Sequence, residues 1–575
     1  MTNLMMLENL EQDKRRRAYV TPVKVVWMTQ EEDAMVENSH YLLENRSPQI
    51  SLQAKNPCIL HNRGKTASVL LDFGCEIHGG IVIAAWQETK GDGVCVRVRF
   101  GESAMEAMSE TGEGKTATND HALRDLTIMI HSMSMTPVGE TGFRFVRLDL
   151  LEKNASLVLK TVKGVLVYRD IPYRGSFRSS DALLNRIWDT GAYTVHLNMQ
   201  NYLWDGIKRD RLIWAGDMHP EIATIEAVFG FDETVPKSLD FVRDETPLPG
   251  WMNGFPSYSM WWVISQYDWY WHTGDLAYLK EQRAYLMGLA EQLSACIGAD
   301  GRDTTPQVRF VDWPTSENAD VVDAGLQAIH ILAEEKMEIL FQVLQEPQWA
   351  KRCREDVARL RRWKGNCGEA KQAAALMVLA GQEDAKTVNQ RLLRVGRAQG
   401  LSTFMGYYIL TARAMAGDIL GCLDCVREYW GGMLALGATT FWEDFDIRWM
   451  ERASPIDVLV LEEDKGDGRS GVDVHGTYGN YCYQGYRHSL CHGWSAGVTP
   501  WISETILGVR VMDAGCRRLE IWPRLGDLEW AEGTYPTPHG EVYIFHSKKK
   551  DGTIESVIRA PGEIETVLVS KGEKE

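Results

Sequence analysis

The sequence lacks any apolar run long enough to cross a bilayer. Its opening, MTNLMMLENLEQDKRRR, places the basic residues after the apolar ones and has no signal-type apolar core or cleavage site, so we expect a chain that stays in the cytoplasm. The eleven cysteines are odd in number, scattered and without framework spacing, which excludes a disulfide scaffold and favours a reducing compartment. Cys422 and Cys425 form one C-x-x-C with no second pair, so zinc or redox chemistry is unsupported there. The glycosylation patterns at Asn45 and Asn154 carry little meaning in a chain that is not exported. There is no G-x-S-x-G elbow for an acyl hydrolase and no H-E-x-x-H for a metalloprotease. Residues Gly112 to Thr116 look like the end of a phosphate loop, but Ser109 stands where its first glycine belongs. No fixed-period repeat is visible, which counts against a solenoid. With a net charge of -17 the chain repels polyanions, so nucleic acid is excluded as a partner and a neutral or mildly anionic small molecule is favoured. No cofactor or metal is expected, and monomer and homodimer both stay open.

The 575 residues exceed one ordinary core and imply several domains. Residues 1–20 read as a loose lead-in. From there to about 175 the chain is a series of short β-rich runs, among them SVLLDF, GGIVIAAW, VCVRVRF and FRFVRLDL. In VCVRVRF, Val94, Val96 and Val98 alternate with Arg97 and Arg99, the pattern of a half-buried sheet. A β-sandwich over 1–175 is the expectation. Ser179-Ser180-Asp181 then caps the first of about twelve helical segments, and the chain is mainly α to about 512. Twelve helices can pair as six hairpins in a closed (α/α)6 barrel; an open superhelix is the competitor. Two breaks interrupt them: 246–258, rich in Pro, Gly and aromatics, and 439–493, where Glu462–Ser470 is expected to be mobile. Strands return over 513–575 as a small C-terminal β domain, too small to stand alone.

The residues with chemistry cluster in Trp204-Asp205-Gly206-Ile207-Lys208-Arg209-Asp210-Arg211-Leu212-Ile213-Trp214-Ala215-Gly216-Asp217. Three carboxylates and two tryptophans in fourteen residues are costly to bury unless they have partners or work. Tryptophan rings stack on the flat faces of sugars, and carboxylates take their hydroxyls. The alternative is a loop whose charges neutralise one another. Asp205, Asp210 and Asp217 are five and seven residues apart, so a regular helix does not gather them and a bent loop opening into a helix is required. Many of the 20 tryptophans fall in two regions, 188–313 and 430–530, and from these Trp214, Trp261 and Trp442 are candidate walls of a groove.

A glycosidase needs two carboxyl groups flanking the scissile bond. The second comes from Thr439-Thr440-Phe441-Trp442-Glu443-Asp444-Phe445, where Glu443 sits among aromatics; a helix cap with surface acids is the alternative. His488 and His492 lie four apart beside Cys491, a spacing that could hold a metal on a helix, but Gly493 points to a loop, which leaves His492 as a hydroxyl contact or a structural residue.

The fourteen-residue stretch resembles the signature of glycoside hydrolase family 78, the α-L-rhamnosidases: an Asp, then Glu-Arg, then Gly-Trp and a closing Gly-Asp. Asp205, Asp210, Arg211, Trp214 and Gly216-Asp217 fall on these places. Asp72-Phe73-Gly74, Thr141 to Arg147, Thr440 to Glu443, Ser489 to Ala496 and Arg518 to Pro523 are similar to other parts of that family in the same order. The resemblance implies a barrel flanked by β domains and an exo-acting inverting hydrolase releasing terminal α-L-rhamnose. It implies Asp210 as general acid, Glu443 as general base, and Asp205, Arg211, Trp214, Asp217 and His492 on the sugar, with Trp261 and Trp442 as further aromatic contacts. It also implies a raised pKa at Asp210, which Arg209 and Arg211 would oppose, so at least one of them should face elsewhere. Asp210 stands where the family has Glu, about 1.5 Å shorter in reach. Gly206-Ile207 replaces Cys-Pro, and Ile213 replaces the Gly before the Trp. Another terminal deoxy- or uronic sugar, or a non-catalytic sugar-binding protein, would fit these departures.

Overall fold

The computed structural model describes residues 13–111, 117–460, 471–481 and 483–569. Most of the lead-in, the rejected phosphate loop and the charged segment around Glu462–Ser470 lie outside the described residues. The chain forms two compact units.

The first unit holds the described residues of 13–108, 119–171 and 196–203. Its backbone is one hydrogen-bonded network of ten strands. Several runs that read as separate strands are continuous. Ala67–Glu88 takes in both SVLLDF and GGIVIAAW, and Ala155–Arg169 is likewise one strand. Register shifts between Asp72 and Ile77 and between Gly79 and Ile81 bend the long strand against its neighbour Ser134–Leu150. Glycine is required at Gly79, whose φ is +139° and where a Cβ would meet the Val165 carbonyl oxygen. Two expectations need correction. Arg15–Val20 is not loose lead-in but a strand paired with Gly164–Arg169, because backbone pairing needs no apolar pattern. The Val94–Gly101 strand buries its valines, and its second face is only partly solvated: Arg97 is half-buried, and Arg99 is buried in an ion pair with Asp149 at 2.7 Å.

The second unit holds the remainder and all the candidate site residues. Its longer helices are α1 (Ala182–Asn198, whose last turn belongs to the first unit), α2 (Met218–Val228), α3 (Thr234–Asp244), α4 (Pro256–Thr273), α5 (Leu276–Ala295) and α6 (Ala319–Val343). They continue as α7 (Pro347–Leu360), α8 (Lys371–Leu379), α9 (Gly406–Met415), α10 (Ile419–Ala435) and α11 (Val498–Thr505). Their ends follow local chemistry. Asp275, Asn318 and Asp418 cap α5, α6 and α10 through their side chains. Pro256 opens α4, and Gly274 closes it at φ 70°. Nearly every residue of α2 and α4 is buried, so both lie inside the helical packing, whereas α3 and α7 bury one stripe and face solvent on the other.

The C-terminal strands belong to this unit. Trp530–Thr537 pairs with Gly540–Lys548 and also with Ser176–Ser179, so the segment just before α1 completes their sheet. That pairing is long-range and leaves no local trace in the sequence.

Candidate active site

The fourteen-residue stretch folds as a loop closed on itself. Asp205 donates its N–H to the Leu212 carbonyl at 3.1 Å, and its carboxylate accepts from the Leu212 N–H at 2.9 Å. The loop reverses at Asp210 and Arg211, both left-handed at φ 56° and 54°. Such backbone at two successive non-glycine residues costs on the order of 1–3 kcal/mol each, and aspartate is among the residues that bear it best. The chain then enters α2 directly after Asp217. A bent loop running into a helix thus gathers Asp205, Asp210 and Asp217 on one pocket.

Neighbouring segments hold the loop. Lys208, almost wholly buried, donates to the carbonyls of Tyr486 at 2.9 Å and His488 at 2.5 Å. Gly493 donates to the Asp205 carbonyl at 2.8 Å. Asn253, from the aromatic break before α4, accepts from the Ala215 N–H at 2.9 Å and donates to the Ile213 carbonyl at 3.1 Å.

The second segment brings Glu443 to the same pocket. Its N–H donates to the Ser489 carbonyl at 3.0 Å, and its Oε2 accepts from the Ser489 N–H at 3.1 Å. Its own carbonyl accepts from the Trp494 indole at 2.9 Å and the Thr403 hydroxyl at 2.5 Å. Glu443 is 2% exposed, and its Oε1 is bonded by Arg209 Nη2. Arg209 Nη1 lies 3.4 Å from Asp210 Oδ1, and its guanidinium sits over the Tyr483 ring. One arginine therefore touches both proposed proton-transfer carboxylates. The Arg211 guanidinium lies over the Trp204 ring, 5.6 Å from its centre.

His492 completes the floor. Its Nε2 is 3.1 Å from Asp217 Oδ1, and its Nδ1 is 3.7 Å from Glu443 Oε1. Burial raises the Asp217 carboxyl above its usual range, against the pull of His492. Burial, with the charges of Asp210 and Asp217, holds Asp205 well above the usual carboxylate range. Asp444, behind Glu443, is pushed up to about 7 by burial and the Glu443 charge. Around the Arg209-linked pair of Asp210 and Glu443 the site thus gathers three further carboxyl groups that burial holds back from ionising.

Asp205, Asp210, Trp214, Asp217, Glu443 and His492 all line one pocket of about 70 Å3. Arg211, Trp261 and Trp442 do not line it. Trp261 packs against His219, Tyr408 and Phe404 in the core between helices. Trp442 turns away toward Phe445 and His488. The aromatic wall comes instead from Phe255, Tyr258, Phe310, Trp313, Tyr483 and Trp494, which the sequence reading passed over. Their signal was present as the aromatic density of the two breaks, together with Arg309-Phe310-Val311-Asp312-Trp313, which no periodicity singles out.

Residues 172–363 match the model of the bacterial alpha-L-rhamnosidase six-hairpin glycosidase domain. An alpha-L-rhamnosidase of Alteromonas sp. (strain LOR) is 24% identical over 467 residues, covering 72% of this chain and 46% of the relative. The GH78 rhamnosidase of Bacillus sp. GL1 superposes with a TM-score of 0.72 at 22% identity, covering 92% of this chain and 55% of its own. The rhamnosidase from Klebsiella oxytoca with rhamnose bound gives 0.64 at 18% identity, covering 85% and 96%. The family model thus matches a third of the chain, and the fold over most of its length is that of the GH78 rhamnosidases on which it superposes. The chain spans about half the length of the Alteromonas and Bacillus relatives.

Proposed function

We propose that the protein is an exo-acting, inverting glycoside hydrolase that releases terminal α-L-rhamnose from oligosaccharides or glycosides. The observation that carries this is that Asp210 and Glu443, 233 positions apart in the chain, line one aromatic-walled pocket. Asp210, 17% exposed, protonates the leaving oxygen. Glu443, fixed by Ser489 and Arg209, takes a proton from the attacking water. Because one guanidinium touches both carboxylates, their nearest oxygens are no more than roughly 8 Å apart, which admits the spacing of an inverting pair. Asp205 and Asp217 hold hydroxyls, Trp214 stacks on the ring, and His492 orients Asp217.

The accompanying fold is an (α/α)6 barrel over 176–512 with a β-sandwich over 1–175 and a β domain over 513–575. Support for it comes from the helices between Ala182 and Thr505 and the strands on either side. A cytoplasmic role in trimming imported oligosaccharides accords with the ten described cysteines, all free.

The departure at Asp210 favours one second reading: a glycosidase for another terminal deoxy- or uronic sugar. A panel of aryl glycosides, read for initial rate and, by proton NMR, for the anomer first formed, separates the two. Fast turnover of the α-L-rhamnoside with β-rhamnose appearing first is the expected result. Preference for another glycoside supports the second reading, and no turnover across the panel leaves a sugar-binding protein.

A further inference from the structure

The pocket at Glu443 is not the largest cavity in the second unit. One of about 670 Å3 lies at the other end of the same helices. Asp217 meets the small pocket at the start of α2, while Glu226, nine residues on and so about 13 Å further along the helix, lines the large cavity. On α4, Tyr258 lines the small pocket, and Asp268 and Trp271 line the large one. Between them lies a floor in which His219 bonds Asp268 at 2.8 Å and the Tyr408 hydroxyl at 2.7 Å.

The polar groups of the large cavity are not used up by packing. Glu226 is 9% exposed, and its Oε1 is buried without a hydrogen-bond partner. Arg524 Nε is buried without an acceptor. Native interiors rarely leave such groups unfilled. Glu504 accepts from the Tyr407 hydroxyl at 3.1 Å. Burial pushes Glu504 up to about 8 and raises Glu226 well above its ordinary value, which disfavours the charged form of each. The wall therefore offers four carboxyl groups, Glu226, Asp268, Glu504 and Glu520, and two guanidiniums, Arg510 and Arg524, rather than a field of one sign. Trp271 and Trp522 add flat apolar faces near an opening marked by the exposed Met415. Alternating donors and acceptors beside aromatic planes suit a ring that is polar at its edge and apolar on its face, and the volume suits one or two such rings.

We propose that this cavity is a second, non-catalytic binding site for a neutral mono- or disaccharide. It stands apart from the hydrolase reading and would survive its failure. The test is calorimetric titration of the full chain with L-rhamnose, D-galactose, D-glucose and maltose, and separately with calcium chloride. It uses Trp214→Ala to strip the small pocket of its proposed stacking ring, and Glu226→Gln and Trp522→Ala to strip the large one. Met415→Trp, an exposed position, plugs the mouth without touching the interior, and thermal unfolding checks each fold. We expect a saccharide to bind with a Kd on the order of 1 mM. Trp214→Ala should leave that binding within about threefold, and Glu226→Gln, Trp522→Ala and Met415→Trp should each weaken it at least about tenfold, a difference of about 1.4 kcal/mol. The proposal is overturned if no sugar binds at about 50 mM, if Trp522→Ala and Met415→Trp both bind as the parent does, or if calcium alone binds and is lost in Glu226→Gln.

Discussion

Arg209 grips the Glu443 carboxylate across 234 positions of sequence while its other amino group lies against Asp210. With Glu443 buried, removing the arginine leaves a carboxylate without its cation, which costs about 3–5 kcal/mol. Arg209→Met should therefore lower the denaturation midpoint markedly and reduce kcat at least about a hundredfold by misplacing both carboxylates. Arg209→Lys should recover little of either, since one ammonium cannot reach two carboxylates as a fork does. Denaturant melts and steady-state kinetics on the two variants check this, and a Lys variant with parental kcat would count against it.

Asn253 is the clamp on the signature loop. Asn253→Ala strips partners from the Ala215 N–H and the Ile213 carbonyl, a loss of about 1–3 kcal/mol. Because these atoms flank Trp214, the expected kinetic signature is a raised KM with a smaller fall in kcat. Unchanged stability would show that the loop does not depend on the clamp.

Glu504 gives a pH dependence of defined sign. Burial raises its folded pKa from 4.5 to about 8. Its contribution is thus fully present below pH 4.5 and is lost as pH rises through about 8. The parent should lose a few kcal/mol of stability between pH 6 and pH 9 at this group, an order-of-magnitude figure. Glu504→Gln, which cannot ionise, should flatten that part of the profile. Parallel melting curves for parent and variant across that range would contradict the assignment.

Asp210 occupies a left-handed backbone position that aspartate tolerates better than glutamate. Asp210→Glu restores the family's side chain but pays backbone strain. It should keep more activity than Asp210→Asn and should not exceed the parent. A glutamate variant faster than the parent would mean that reach, rather than backbone geometry, limits this site.

Much of this was legible in the chain. Helix ends followed capping residues and glycine, and the carboxylate spacing demanded a loop that opens into a helix, as at Asp205–Asp217. Other features were not legible. Trp261 and Trp442 carry the same side chain as Trp214, yet packing turned them into the core, and no local signal distinguishes a ring facing a pocket from one facing a helix. Arg99 alternated with buried valines and read as solvent-facing, because the burying partner, Asp149, is fifty residues away. Arg209 read as one charge among several until the fold brought Glu443 to it.

The central claim is that Asp210 gives a proton to the leaving group and Glu443 activates water. The most direct test is to measure initial rates on α-L-rhamnosides with poor and with good leaving groups, for the parent, Asp210→Asn and Glu443→Gln. An acid is needed only where the leaving oxygen must be protonated. Asp210→Asn should therefore lose at least about a hundredfold on the poor leaving group and far less on the good one, while Glu443→Gln should lose at least about a hundredfold on both. Equal losses for Asp210→Asn on the two substrates, or a Glu443→Gln enzyme within about tenfold of the parent, would contradict the account.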